Sequence, residues 1–228
     1  IFRAEHSFTT RHATEFTGFD FEMSFITSHQ EVMDIWSKAI AYALQRVVDT
    51  YGEQIKKDYG IDVVVPSLPF PQLTMKEAKE VLAKRGVTSE REGDLSPEEE
   101  RTLGEIAKEQ HGHEFMFVTE YPTSVRPFYH MRKEDDKDTT LSFDLLWKGL
   151  EITTGAQREH RHDILEAQAK DKGMNIDSIA HYLDFFKYGC PPHGGAGIGF
   201  GRMVMLMLNL ESIREASYLY RGVKRLTP

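Results

Sequence analysis

Residues 18–26, with the sequence GFDFEMSFI, alternate between apolar and polar or small side chains. A period of two is typical of a β-strand that buries one of its faces. The alternation predicts that Asp20 and Glu22 share the face opposite the phenylalanines. Such a strand needs a sheet to pair with and a core for its apolar face. Further apolar runs predict strands at residues 115–119, 143–146 and 149–158.

Apolar residues recur at helical spacing in residues 30–51. They predict a core-facing stripe made of Val32, Ile35, Trp36, Ala39, Ile40, Ala43, Leu44 and Val47. A second, buried helix is predicted at residues 203–210. Strands with polar residues on one face, joined by helices, indicate a largely antiparallel sheet flanked by helices, and hence the α+β class. The 228 residues, 40% of them hydrophobic, suit one large domain.

Residues 52–112 are charged, and capping signals within them predict two helix starts. Thr74 with Glu77 forms one capping box pattern, and Ser96 with Glu99 forms another. We interpret this segment as a helical connecting insertion within the domain of residues 1–228.

Composition excludes several classes of protein. Cys190 is the one cysteine, so an internal disulfide framework is excluded and a reducing cytoplasm is expected. A net charge of −8 argues against a protein that coats nucleic acid without specificity. The sequence contains no apolar run that approaches the roughly 20 residues of a membrane span, so no membrane association is expected.

Two distant segments combine positive charge with small residues. Residues 194–202 read GGAGIGFGR, and their glycine spacing fits neither a dinucleotide-binding fingerprint nor a P-loop. Glycines allow a backbone to approach a flat or anionic ligand closely. With the cations of residues 2–16, the run predicts a site that holds a triphosphate from two sides. Its positive charges come from Arg3, Arg11, His12 and Arg202.

Two acids and an arginine suggest further chemistry, although ordinary surface roles remain open for all three. Asp144 and Glu151 are separated by a strand and a turn, which can bring both carboxylates near one Mg²⁺. Arg158 follows a glycine and two threonines, which suits a pocket for a small carboxylate.

Several motifs in order resemble the catalytic domain of class II aminoacyl-tRNA synthetases, most closely the archaeal and eukaryotic type of aspartyl-tRNA synthetase. FRAE at 2–5 with RHATEF at 11–16 resembles motif 2, and GIGFGR at 197–202 resembles motif 3. FDLLWKGLEITTGAQREH at 143–160 is similar to the aspartate-specific stretch between them. The resemblance also includes VRPFY at 125–129, YGCPPHGG at 188–195 and the final RLTP.

The resemblance implies a role for each matching residue. Arg3 would hold the α-phosphate of ATP and the amino-acid carboxylate, and Arg202 would stack on adenine opposite Phe16. Arg158 would bind the side-chain carboxylate of aspartate, and Asp20 its ammonium group. The implied Mg²⁺ contacts are Glu151 and Thr154, supported by Asp144, and Thr154 also belongs to the implied substrate-binding set. The implied ATP-binding set is Arg3, Glu5, Arg11, His12, Ala13, Phe16, Glu151, Gly199, Phe200, Gly201 and Arg202.

The family further implies ATP and Mg²⁺ as cofactors, L-aspartate and the aspartate tRNA as substrates, and a cytoplasmic location. The asparagine tRNA is a further possible substrate. The sequence begins at motif 2, so we expect motif 1, the homodimer interface that it builds and an anticodon-binding domain to lie upstream. Gly201 departs from the family, which usually has an acid there, and its lost charge is expected to loosen the orientation of Arg202.

Three other functions remain open at this stage. An asparaginyl-tRNA synthetase shares most of these motifs, although Asp20 and the TTGAQR string favour aspartate. A tRNA-independent amidoligase would use the same adenylate to make asparagine. An inactive paralogue would bind nucleotide or RNA without catalysis. Five residues present together argue against it, namely Arg3, Glu5, Glu151, Arg158 and Arg202.

Overall fold

The computed structural model describes residues 1–91 and 93–227. Within them, six strands form one sheet in the order β1-β6-β5-β4-β3-β2. Neighbouring strands are antiparallel except β2 and β3, which are parallel. The strands are β1 (Gly18–Ser24), β2 (Gln72–Thr74), β3 (Phe115–Thr119), β4 (Ser142–Trp147), β5 (Leu150–Arg158) and β6 (His193–Gly199). The α-helices are α1 (His29–Tyr59), α2 (Met75–Lys84), α3 (Pro97–His111), α4 (His162–Asp171), α5 (Ile176–Asp184) and α6 (Phe200–Met207).

This architecture confirms the predicted α+β fold with a mostly antiparallel sheet. The strands predicted at 115–119, 143–146 and 149–158 match β3, β4 and β5 to within one residue at either end. Across the described ranges, no helix has both the length and the apolar character needed to cross a membrane.

The two faces of the sheet are covered differently. Helix α1 packs on one face, where Trp36 and Ile40 join a cluster with Phe143 and Ile198. On the other face, helices α2 and α3 cover the strands at the β2 end, in a second cluster built around Leu103. The second face therefore has one half covered by helices, while its half over β1, β6 and β5 remains free to form a pocket.

Helix α1 is longer than predicted, and its buried stripe matches part of the predicted one. It begins at a capping box formed by Ser28 and Glu31, and it ends before Gly60, whose φ is 70°. The buried residues of its amino-terminal part are Val32, Met33, Trp36, Ser37, Ile40 and Leu44. Four of the predicted stripe residues, Val32, Trp36, Ile40 and Leu44, are among them, but the prediction was wrong for Ile35, Ala39 and Ala43, which are exposed. Periodicity therefore located the helix and the centre of its buried face, but not the limits of that face.

Both capping boxes predicted within residues 52–112 are present, at Thr74 for α2 and at Ser96 for α3. The segment does more than connect, however. It supplies strand β2, and its residues Leu82 and Leu103 are fully buried. The description as a connecting insertion therefore understates its part in the core.

The glycine-rich run forms strand β6, which lies inside the sheet between β1 and β5. The helix predicted at 203–210 begins earlier, at Phe200, and ends at Met207. Met205 is buried, and Met203, Leu206 and Met207 are partly buried against the core, so the helix is less buried than predicted. Strand β1 ends at Ser24, and Phe25 turns out into solvent with a φ of 63°.

Helix α3 lies directly against the turn between β4 and β5. A Cβ atom on Gly104 would come within 2.5 Å of the Gly149 backbone nitrogen. Gly149 itself has a φ of 71°, and a Cβ there would lie 2.7 Å from the Cα of Arg101. The two backbones can approach this closely only because neither glycine carries a side chain.

We expect Gly104→Ala to destabilise the protein by about 1–3 kcal/mol, because the new methyl group has no space against backbone. Gly52→Ala in α1 is the matched control, since a Cβ there meets only Val48 at 3.6 Å. The control should be neutral or gain about 0.5–1 kcal/mol from helix propensity. Urea denaturation of both variants measures the difference, and equal stabilities would contradict the close packing of α3.

Candidate active site

A pocket of about 460 Å³ occupies the free half of the sheet's second face. Its size is typical of a small-molecule site. Thirteen predicted site residues line it: Arg3, Glu5, Arg11, His12, Ala13, Phe16, Asp20, Glu151, Thr154, Arg158, Gly199, Gly201 and Arg202. Asp144 and Phe200 were predicted with them but do not line it.

Strand pairing brings part of this set together. Asp20 on β1 pairs with Gly197 on β6, which pairs with Thr154 on β5, which pairs with Asp144 on β4. Residues directly opposite one another in paired strands share a face. The register therefore aligns three polar residues and one glycine in a row across four strands, on the face that the pocket occupies.

The glycines of β6 make room for the acids of β1. A Cβ on Gly197 would lie 3.1 Å from Oδ1 of Asp20. A Cβ on Gly195 would collide with the carbonyl oxygen of Phe21 and the carboxylate of Glu22. Because these glycines of β6 carry no side chains, the side chains of Asp20 and Glu22 have room at the floor of the pocket.

A β-bulge in β5 turns Glu151 into the pocket. Leu145 pairs with Thr153 while Leu146 pairs with Glu151, so Ile152 is an extra residue in the ladder. In a regular strand, residues three apart point to opposite faces. The bulge cancels that alternation, and Thr154 Oγ1 donates a hydrogen bond to Glu151 Oε1 at 3.3 Å.

The acids beneath the pocket repel one another. Burial raises the pKa of Glu151 to about 7, and the nearby Asp144 and Glu100 carboxylates add to the increase. Arg202 opposes it, with its Nη1 atom 3.6 Å from Glu151 Oε1. A cation bound beside Glu151 would relieve this repulsion.

Asp144 is placed differently from its predicted supporting role. Its carboxylate is buried and forms an ion pair with Arg126, with 2.7 Å between Oδ2 and Nη2. The Arg126 guanidinium in turn lies 3.7 Å from the centre of the Tyr121 ring. Asp144 thus acts on the pocket through its charge on Glu151, and its use as a direct metal ligand remains a prediction.

Cations surround the other end of the pocket. Arg202 donates from Nη1 to the Glu151 carbonyl oxygen at 2.7 Å and from Nε to the Arg11 carbonyl oxygen at 3.4 Å. These backbone contacts orient its guanidinium even though Gly201 supplies no acid. The Arg3 guanidinium lies 5.3 Å from the centre of the Phe16 ring. Burial, with a smaller effect of Arg202, lowers the pKa of His12, so this histidine is neutral at neutral pH.

Arg158 is fixed at the opposite end of the pocket. Its Nε and Nη2 atoms donate to Glu22 Oε1 at 3.2 and 2.8 Å, and its Nη1 lies 3.1 Å from Nε2 of His130. Burial, then the charge of Arg158, lowers the pKa of His130 to about 2. The neutral ring can accept from Arg158, which has only donors. Tyr129 lies against the guanidinium at 5.6 Å.

Sequence reasoning missed four residues of this environment, for which different signals existed. Glu22 shares the polar face of β1 with Asp20, so the alternation in 18–26 contained its position. Tyr129 belongs to the VRPFY motif and His130 follows it directly. Glu100, which contacts Arg11 at 2.8 Å, lies on α3 and had no signal beyond its charge.

Comparisons with known proteins identify the family of this chain. Residues 1–221 match the family described as tRNA synthetases class II (D, K and N). The chain is 44% identical to an aspartate–tRNA(Asp/Asn) ligase of Aeropyrum pernix and 41% identical to an aspartate–tRNA(Asp) ligase of Thermoplasma volcanium. Both matches cover the whole chain but only 52% and 51% of those proteins, so it spans about half the length of these curated relatives.

Solved structures give the same result. An aspartyl-tRNA synthetase from Entamoeba histolytica superposes with a TM-score of 0.94 at 34% identity, covering all of this chain and 48% of that one. An asparaginyl-tRNA synthetase from Pyrococcus horikoshii, complexed with asparaginyl-adenylate, gives 0.90 at 32% identity, covering all of this chain and 52% of that one. The chain therefore belongs to the class II tRNA synthetases of the D, K and N group.

The raised pKa of Glu151 predicts a pH dependence of stability. Between about pH 4.5 and 7 the folded protein keeps a proton that the unfolded chain has lost, so this group's contribution falls as pH rises. Glu151→Gln should therefore gain stability relative to wild type between pH 5 and 8. We expect about 1 kcal/mol or less, because the side chain is 38% exposed and solvent screens it.

Urea denaturation at several pH values, without ATP or Mg²⁺, measures this difference. Glu77→Gln is a control of opposite sign, because hydrogen bonds from Thr74 lower the pKa of Glu77. That variant should lose stability relative to wild type as the pH rises from about 3 to 5. If the free energies of unfolding of Glu151→Gln and wild type change with pH in parallel, the raised pKa of Glu151 is contradicted.

Proposed function

We propose that this protein activates L-aspartate with ATP, forms aspartyl-adenylate and transfers the aspartyl group to tRNA in the cytoplasm. The observation that carries the proposal is the distribution of charge along the pocket. Arg158 is the last residue of β5, whereas Arg202 contacts Glu151 near the start of that strand and also the backbone of Arg11. Arg3 lines the same pocket. This arrangement suits a carboxylate-bearing amino acid placed next to a triphosphate.

Donor counting supports aspartate at the Arg158 end. An arginine side chain has five N–H donors, and Glu22 and His130 occupy three of those on Arg158. Two remain, as a bidentate contact with a substrate carboxylate requires. Asp20 lines the same pocket and supplies a negative partner for the substrate ammonium group.

The donors beside Glu151 suit Mg²⁺ bound together with ATP. Glu151 and Thr154 offer a carboxylate and a hydroxyl oxygen on one face, and phosphate oxygens would complete the hard oxygen set that Mg²⁺ prefers. The described residues contain no cluster of three His, Cys, Asp or Glu side chains that could hold a metal alone. When bound, the ion supplies charge stabilisation on the phosphates.

The chemistry needs no protein nucleophile. The α-carboxylate of aspartate attacks the α-phosphorus of ATP, one phosphorus–oxygen bond forms, and the bond to the departing pyrophosphate breaks. Arg3 and Arg202 neutralise the charge that develops on the phosphate oxygens, and the pocket holds both substrates in line. A terminal ribose hydroxyl of tRNA then attacks the aspartyl carbonyl carbon and releases AMP.

Names of similar proteins leave two choices open. Relatives are called aspartate ligases for tRNA(Asp) or for tRNA(Asp/Asn), and similar structures include asparaginyl-tRNA synthetases. We favour aspartate because the Arg158 end presents positive charge to the substrate side chain. Whether one or both tRNAs are charged depends on contacts outside this pocket, and assembly as a homodimer remains a prediction.

The test of the proposal is ATP–pyrophosphate exchange by the full-length protein with aspartate, asparagine or no amino acid. Exchange with aspartate alone supports the activation step. Exchange with asparagine alone would show that the substrate is asparagine and not aspartate. ATP binding without any exchange would favour a non-catalytic paralogue.

Arg158→Leu should abolish aspartate activation and leave ATP binding largely unchanged. Loss of a bidentate partner for a carboxylate in a partly enclosed pocket should cost about 2–5 kcal/mol. Exchange kinetics measure kcat/KM for aspartate, and calorimetry measures ATP affinity. Arg132→Leu is the matched control, because Arg132 pairs with Asp171 outside the pocket. An unchanged kcat/KM for aspartate in Arg158→Leu would remove Arg158 from the substrate site.

Glu151→Ala should weaken ATP binding in the presence of Mg²⁺, because one carboxylate ligand is lost. Calorimetric titration of ATP with and without Mg²⁺ separates the two contributions. Without Mg²⁺ the variant should bind ATP at least as well as wild type, since a negative charge near the phosphates is gone. Equal affinities of both proteins with Mg²⁺ would exclude Glu151 from the metal site.

A further inference from the structure

Glu100 on α3 does not line the pocket, but it contacts the lining residue Arg11, and the proposed reaction does not use it. Its carboxylate is 9% exposed and contacts Arg11, with 2.8 Å between Oε2 and Nη1. Arg11 belongs to the segment after Arg3, whose residues 6–10 are all exposed. The ion pair therefore joins a partly buried helical acid to an exposed segment at the phosphate end of the pocket.

The position of Glu100 is fixed by backbone packing. Glu100 and Gly104 are four residues apart and share one face of α3. At Gly104 this face meets Gly149, the residue before β5, and a Cβ on Gly149 would lie 2.8 Å from the Glu100 carbonyl oxygen. Leu103 and Ile106 anchor the helix in the core beside it. The carboxylate thus projects from a rigid element.

Arg11 needs such an anchor. A free arginine side chain samples many rotamers, and fixing it on binding costs entropy that weakens affinity. The contact with Glu100 uses one terminal nitrogen of the guanidinium. The remaining donors can bind a phosphate oxygen without breaking the ion pair.

We propose that Glu100 is a positioning residue, which holds the Arg11 guanidinium ready for the terminal phosphates of ATP. The inference rests on the proposed function, because it takes ATP as the ligand of this end of the pocket. It gives helix α3 a role in nucleotide affinity in addition to its role in the core.

The test compares Glu100→Gln with wild type in the full-length protein. Glutamine keeps the shape of the side chain but removes the charge that fixes Arg11. We expect the Kd of Mg²⁺–ATP, measured by calorimetry, to rise about 5- to 50-fold. The KM for ATP in the exchange reaction should rise by a similar factor. The KM for aspartate should change less than about twofold. Glu100→Asp, which keeps the charge on a shorter side chain, should give a smaller rise, and it is the variant measured if Glu100→Gln does not fold.

A double-mutant cycle with Arg11→Leu separates positioning from a structural effect. If Glu100 acts through Arg11, the substitution of Glu100 should change ATP affinity less than about twofold when Arg11 is already absent. Glu99→Gln is the matched control, because Glu99 is buried on the same helix but pairs with Lys79 at 2.8 Å. That variant should lose stability without losing ATP affinity.

Two results would overturn the inference. One is an ATP affinity of the Glu100 variants within twofold of wild type. The other is an equal loss of affinity with and without Arg11. Failure of the proposed function has a different signature, because the wild-type protein would then bind ATP but show no exchange with any amino acid.

Discussion

The pocket depends on a strand that carries no side chain at Gly195, Gly197 and Gly199 on its pocket face. Strand β6 lies between β1 and β5, and its glycines leave the floor free for Asp20 and Glu22. Any larger residue at Gly195 would collide with the neighbouring strand. The alternate positions, Ala196 and Ile198, pack into the core on the other face. One strand therefore closes the core with its apolar face and opens the ligand site with its bare face.

Arginine side chains and acidic side chains are paired around the floor of the pocket. Arg11 faces Glu100, Arg126 faces Asp144, and Arg202 lies near Glu151. Buried charges are costly unless they are paired, so each guanidinium reduces the cost of a neighbouring acid. Glu151 is compensated incompletely, as its raised pKa indicates. A cation bound beside it would be stabilised by this charge.

Much of this structure was predictable because its signals are local. Alternation located the strands, capping boxes located α2 and α3, and the motifs led to most of the residues around the pocket. The limits of the buried face of α1 were not predictable in this way. Ile35 and Trp36 are neighbouring apolar residues, and the position of the sheet decides which of them is buried.

The positions of Glu151, Asp144 and Glu100 have non-local causes. Glu151 faces the pocket because β5 gains a residue relative to β4, and a bulge is a property of the pair of strands. Asp144 lies on the same sheet face, but Arg126 holds its carboxylate away from the pocket. Glu100 reaches Arg11 through the contact of Gly104 with Gly149, which no pattern within α3 reveals.

The pairing of β1 with β6 also has a consequence for biosynthesis. Gly18 pairs with Gly199, so the acids of β1 emerge from the ribosome long before the strand that holds them. Until β6 has been synthesised, β1 has no sheet partner within the described part of the chain. Contacts between such distant segments form slowly, and an unpaired strand is prone to aggregate. Translation of the last quarter of these residues is therefore the step that protects the first strand and completes the pocket.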